Sequence, residues 1–122
     1  MKKILVVDDS AFMRGILKDL LAQHPATPEI YEAEDKKTAL QQAKKVMPDL
    51  VLLDIVMQKS ELEGVEILKE LRKAYPTINV IMLTSVGQTG VIEECKKLGA
   101  RYYIEKPFDP DNVRECVSKY IT

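Results

Sequence analysis

Ile4-Leu5-Val6-Val7-Asp8-Asp9-Ser10 decides the fold: four consecutive apolar residues, three of them β-branched, run straight into two carboxylates and a helix-capping serine. An unbroken apolar run of this length fits a parallel strand buried on both faces. Leu50–Leu53 repeats the pattern and stops at Asp54; Val80–Leu83 repeats it and stops at Thr84. Ile30–Ala33 and Tyr102–Ile104 are weaker runs, placed nearer the sheet edges.

Helical periods fill the gaps. Phe12, Ile16 and Leu20 with Met13, Leu17 and Leu21 form an apolar stripe after an N-cap at Ser10. Ala39, Leu40, Ala43 and Met47 form a second, capped by Asp35 and stopped by Pro48. Val65, Leu68, Leu71 and Arg72 fall in a third, ended by Pro76. Ile92, Cys95 and Leu98 make a short fourth that stops at Gly99. The fifth starts at Asp109-Pro110, an N-cap followed by proline at the first helical position, and carries Val113, Cys116, Val117, Tyr120 and Ile121. Strands alternating with helices predict an α/β domain: a doubly wound, five-stranded parallel sheet with helices on both faces and right-handed crossovers. The order 2-1-3-4-5 is taken over from the general rule for five-stranded sheets of flavodoxin-like type, in which ligands bind beyond the carboxyl ends of the strands.

With 122 residues the chain is expected to be one domain, 1–122, with one core. Its 46% hydrophobic content and net charge of −1 exclude intrinsic disorder. The 18 basic and 19 acidic residues form no single-sign block, so neither direct nucleic-acid binding nor a membrane surface is expected. Asp8 and Asp9 end the first apolar run too early for a secretory signal, and no stretch reaches the ~20 apolar residues of a membrane span. Two cysteines and one histidine exclude a disulfide framework, a zinc cluster and a Ser-His-Asp triad. The expectation is a monomer in a reducing cytoplasm.

Chemistry-bearing residues lie where the apolar strands stop: Asp8 and Asp9 after strand one, Asp54 after strand three, Thr84 after strand four, Lys106 after strand five. Strand two offers nothing similar. In the order 2-1-3-4-5 these four strands are consecutive neighbours, so the five groups converge on one cleft. Three carboxylates there repel, by about 4 kcal/mol per pair at ~4 Å and an effective dielectric near 20. A hard divalent ion with oxygen ligands relieves that cost, and Mg²⁺ characteristically takes one or two carboxylates plus waters and phosphate oxygens. An acidic Mg²⁺ site beside an ammonium is a phosphoryl-handling arrangement, with a carboxylate as nucleophile. The blander readings (acids favouring a helix N-terminus, a polar strand end, a turn threonine, a solvated lysine) each suit one residue alone and not all five together. Lys36-Lys37, Lys44-Lys45 and Lys96-Lys97 read as solvated helix faces. Cys95 and Cys116 read as small core hydrophobes.

Val6-Val7-Asp8-Asp9-Ser10, Leu52-Leu53-Asp54, Met82-Leu83-Thr84-Ser85 and Glu105-Lys106-Pro107-Phe108 together resemble the receiver domain of two-component response regulators, over the whole chain. The resemblance implies Asp54 as phosphoacceptor and Asp8, Asp9, Asp54 and the Val56 backbone carbonyl as Mg²⁺ ligands. It further implies that Thr84 and Lys106 contact the phosphoryl group, that Lys106-Pro107 is a cis peptide, and that Tyr103 is the switch aromatic. The donor would be a phosphohistidine of a sensor kinase. The output would be a downstream protein on the face of helix four, strand five and helix five, with no output domain attached. Phe12-Met13-Arg14 and Gly87-Gln88 resemble the stand-alone chemotaxis branch. Two departures stand out: Gln58 replaces the family's proline after Met57, and Gly64 lies ten positions beyond Asp54 where the family has eight. The loop after strand three is therefore two residues longer, or a Ser60-x-x-Glu63 capping box extends helix three.

Phosphorylation adds about −1.5 to −2 charge. By this resemblance Thr84 would then be drawn toward the phosphoryl group, and Tyr103 would swing into the vacated space while the Gly87–Gly90 loop gives way. Val56 and Val86 offer no side-chain hydrogen bond to an attacking water, so a long-lived phosphoryl group is expected. Alternatives are a single-domain relay intermediate passing phosphate to a second histidine protein, and a receiver-like scaffold that works without phosphate. A flavodoxin-like nucleotide binder lacks its phosphate-cradling loop, since Asp8-Asp9 repel phosphate. A haloacid dehalogenase-type phosphatase lacks its Asp-x-Asp.

Overall fold

A computed structural model describes residues 2–55, 63–85 and 89–121. Val56, Gln58, Ser60, Val86, Gly87 and Gln88 lie outside the described residues, and with them the Val56 carbonyl and the hinge expected at Gly87. The elements run β1 (Lys3–Val7), α1 (Ala11–Ala22), β2 (Glu29–Ala33), α2 (Lys36–Val46), β3 (Leu50–Asp54), α3 (Glu63–Ala74), β4 (Asn79–Thr84), α4 (Thr89–Lys97), β5 (Tyr102–Glu105) and α5 (Pro110–Ile121). All strand pairs are parallel, and the order is β2-β1-β3-β4-β5.

The apolar runs are continuous because each central strand feeds two cores. Leu5, Val7, Val51, Leu53, Val80 and Met82 face α2, α3 and α4. The alternate residues Ile4, Val6, Leu50, Leu52, Ile81 and Leu83 face α1 and α5. With side chains alternating at period two, a strand covered on both faces has no position left for a polar residue until it ends. The edge strands show the weaker pattern: only Ala33 is buried in β2 and only Ile104 in β5.

The helix signals act where the residues place them. Ser10 Oγ accepts from the Met13 amide, and Asp35 and Thr38 close a reciprocal capping box on α2. Pro110 takes the first position of α5. Past α4, Gly99 adopts a φ of +95°. Three residues depart from the expected stripes. Met47 is 62% exposed, because α2 ends at Val46 and Met47 caps it in the left-handed region with a φ of +52°. Phe12 is 75% exposed, because the first turn of α1 overhangs the strand ends and only Leu17 and Leu21 are buried from that helix. Arg72 turns away from the core to donate to the Ile78 carbonyl.

Cys95 and Cys116 are free and buried. Burial pushes the Cys95 thiol up to about 11 from an ordinary 9.0, and raises that of Cys116. A thiol raised on folding contributes stability that is complete below its unfolded pKa and is lost as pH rises toward the folded value. At pH 8 the native protein is expected to release little colour with a thiol-exchange reagent, and two equivalents once urea unfolds it. Rapid titration of both thiols in the native state would contradict this.

Candidate functional site: an acidic pocket at the carboxyl ends of the strands

Among the described residues, the buried polar or charged side chains are Asp8, His24, Asp54 and Thr84. His24 lies at the end of α1, where Nδ1 accepts from the Ala26 amide at 3.0 Å and Nε2 lies 2.7 Å from Ser118 Oγ. The other three meet at one end of the sheet. Burying a polar group costs free energy unless it is paired, so their concentration at one point marks a site.

The backbone sets each position. Val7 pairs with Leu53, which brings Asp8 beside Asp54 one residue further along β1 and β3. Asp54 is in register with Leu83, and Thr84 with Glu105, which places Thr84 and Lys106 on the other side of Asp54. The Lys106 amide donates to the Thr84 carbonyl at 2.7 Å, and the Lys106-Pro107 peptide is cis.

Lys106 Nζ lies 3.3 Å from Asp8 Oδ2 and 3.2 Å from Asp54 Oδ1, with only 19% of its side chain exposed. Carboxylate oxygens of Asp8, Asp9 and Asp54 lie within 4.8 Å of one another. The other oxygen of Asp8 accepts from the Ser10 amide at 2.9 Å, which ties the acid to the start of α1. Thr84 Oγ1 donates to the Ser85 carbonyl at 3.1 Å. Among the described residues, three clustered carboxylates face the ammonium of Lys106 in a partly dry pocket. That donor set of closely spaced hard oxygens fits a divalent cation of the Mg²⁺ type.

Tyr103 is half-buried on β5. Its ring stacks on that of Tyr102, with centroids 5.5 Å apart, and Lys96 Nζ lies 5.3 Å from its centroid. Lys96 was expected to be only a solvated helix lysine; across the α4–β5 boundary it holds the proposed switch ring by a cation–π contact.

Gly64 shows where the longer spacing after Asp54 is taken up. Its amide donates to the Ile55 carbonyl at 3.2 Å. A Cβ there would run into the carbonyl oxygen of Asp54 and come within 2.6 Å of that of Ile55. The glycine sits where α3 touches the backbone of the phosphoacceptor candidate, so the additional residues fall between Ile55 and Gly64.

Strand two, expected to contribute nothing, reaches the site indirectly. Glu32 Oε1 accepts from Arg14 Nε at 3.0 Å, and Arg14 Nη1 donates to the Asp8 carbonyl. Burial alone would raise the Glu32 carboxyl, but hydrogen bonds from Lys18 and Arg14 outweigh it and hold its pKa below the ordinary value.

The family model of the response regulator receiver domain matches residues 4–118. The chain belongs to this family of phosphorylation-activated signalling domains. It is 38% identical over 119 residues to the chemotaxis protein CheY of Thermotoga maritima, covering 97% of this chain and 96% of that one. It is also 38% identical over 120 residues to sporulation initiation phosphotransferase F of Bacillus subtilis, covering 98% and 94%. The crystal structure of the receiver domain of NtrX from Brucella abortus superposes with a TM-score of 0.89 at 32% identity, over 97% of both chains.

Proposed function

We propose that Asp54 accepts a phosphoryl group from a histidine-phosphorylated sensor kinase and that Asp8, Asp9 and Asp54 hold Mg²⁺ while it does so. The observation that carries this reading is the convergence of three carboxylates from two strand ends on one ammonium, Lys106, which spans Asp8 and Asp54. An Asp54 carboxylate oxygen attacks phosphorus; the bond from phosphorus to the imidazole nitrogen breaks, and the imidazole leaves with its electron pair. Lys106, already 3.2 Å from Asp54, neutralises phosphoryl oxygens, and the Thr84 hydroxyl exchanges its Ser85 carbonyl partner for one of them. Bound Mg²⁺ supplies further neutralisation of those oxygens. Phosphorylation and its reversal are in this reading catalysed by the domain's own residues.

Motion of Thr84 frees space for Tyr103, which leaves Lys96 and remodels the face of α4, β5 and α5 for a downstream protein. The likeness to the CheY of Thermotoga maritima supports a chemotaxis-type output and a cytoplasmic setting. Among the described residues no helix is long and apolar enough to cross a membrane. The equal identity to the Bacillus subtilis phosphotransferase supports a second reading, a relay intermediate that hands its phosphate to another histidine protein.

Incubation with Mg²⁺ and acetyl phosphate, followed by intact-mass measurement, is expected to add one phosphoryl group to the wild type and none to Asp54→Ala. An unmodified wild type would overturn the phosphoacceptor and leave a binding scaffold. Transfer of label from the phosphorylated protein to a histidine phosphotransfer domain would decide for the relay.

A further inference from the structure

We propose that Arg14, held by Glu32, is a positioning residue that fixes the Asp8–Asp9 peptide plane and thereby aims both carboxylates into the pocket. The inference rests on the reading of the acidic cluster as the divalent-cation site, and concerns groups outside that cluster.

Every polar group of Asp8 is engaged. Its amide donates to the Ala33 carbonyl at 3.1 Å, one carboxylate oxygen accepts from Ser10 N at 2.9 Å, and the other meets Lys106 at 3.3 Å. Its carbonyl accepts from Arg14 Nη1. That carbonyl shares a rigid plane with the Asp9 amide, so the orientation of one plane sets where the chain carries both acids. Arg14 sits one turn into α1, and its side chain is only 14% exposed.

The guanidinium is itself anchored. Nε bonds Glu32 Oε1 at 3.0 Å, and the second Glu32 oxygen takes Lys18 Nζ at 3.2 Å. The Glu32 carbonyl accepts from Gln42 Nε2 at 3.2 Å. A planar fork with donors on two edges can hold a carboxylate and a carbonyl at once, which the single ammonium of lysine does not reproduce. Outer partners of this kind orient first ligands and typically govern cation affinity by about tenfold or more.

The position is informative because charge and positioning act in opposite directions. As a charge alone, Arg14 opposes a bound cation, and its removal would tighten binding. As a positioning residue, its removal loosens the ligands and weakens binding. Calorimetric titration with Mg²⁺ alone separates the two, with thermal unfolding recorded alongside. We expect the Mg²⁺ Kd to rise about tenfold in Arg14→Ala, with a smaller rise in Arg14→Lys and Glu32→Gln. The double variant Arg14→Ala/Glu32→Gln should bind no more weakly than Arg14→Ala, since both changes remove one linkage. Unchanged or tighter Mg²⁺ binding in Arg14→Ala, or a lowered Tm with wild-type affinity, would overturn the proposal. A wild type that binds no Mg²⁺ would instead overturn the cation site itself.

Discussion

Alanine at Gly64 is expected to lower stability by about 3 kcal/mol, roughly 10 °C in Tm, and to slow phosphoryl uptake by about two orders of magnitude. In the interior of an exposed helix the same change would stabilise by about 1 kcal/mol. The sign reverses because the three atoms nearest the new methyl are all main-chain, the carbonyl oxygens of Asp54 and Ile55 and the Ile55 Cα, which cannot turn aside as a side chain can. Either α3 shifts from the sheet or the end of β3 shifts, and the second movement carries the Asp54 carboxylate with it. Urea unfolding reads the first effect and intact mass after acetyl phosphate the second. A variant within about 0.5 kcal/mol of the wild type would show that α3 does not bear on the Asp54 backbone.

Lys106→Met is expected to destabilise the protein by about 2–3 kcal/mol in chelator, below the range for a fully buried pair because the lysine keeps some solvent. Methionine preserves the stem and removes the ammonium that lies 3.3 Å from Asp8 and 3.2 Å from Asp54. The carboxylates of Asp8 and Asp54 then repel without the ammonium that lay between them. Mg²⁺ should raise Tm more steeply in the variant than in the wild type, since it replaces the missing charge, while phosphorylation should fall because in the proposed reaction the ammonium also serves the phosphoryl oxygens. Equal Tm values in chelator would mean that the pocket balances its charge without this lysine.

The strand tips were legible because a strand buried on both faces leaves its first polar residue to mark its end. That is why Asp8, Asp54 and Thr84 could be read directly as neighbours once a strand order was adopted. The order itself came from a general rule, and the parallel registers of the four strand pairs bear it out. What stayed hidden depends on register or on helix ends. Glu32 lies opposite Val6 in the β1–β2 register, and nothing in the local sequence pairs it with an arginine 18 residues away. Phe12 follows the periodicity of its helix but falls in a turn that projects beyond the sheet, so the stripe overstates its burial. The lysine over Tyr103 looked solvated because helical charge runs usually are; only the packing of α4 beside β5 brings the two together.

Val7, Leu53 and Leu83, the residues that precede the acids and the threonine, are all fully enclosed. Their main chains are laced into the sheet before any donor arrives, so the proposed nucleophile, Asp54, and its cationic neighbour are assembled by folding and not by an encounter. Little rearrangement is then left for the transfer itself, and its speed should track how readily the donor gives up its phosphorus, with weakly basic leaving groups reacting fastest. Under the proposed function the slower adjustments would belong to the outer shell of helices and to the edge strand, where a listener would read the outcome without disturbing the chemistry that produced it.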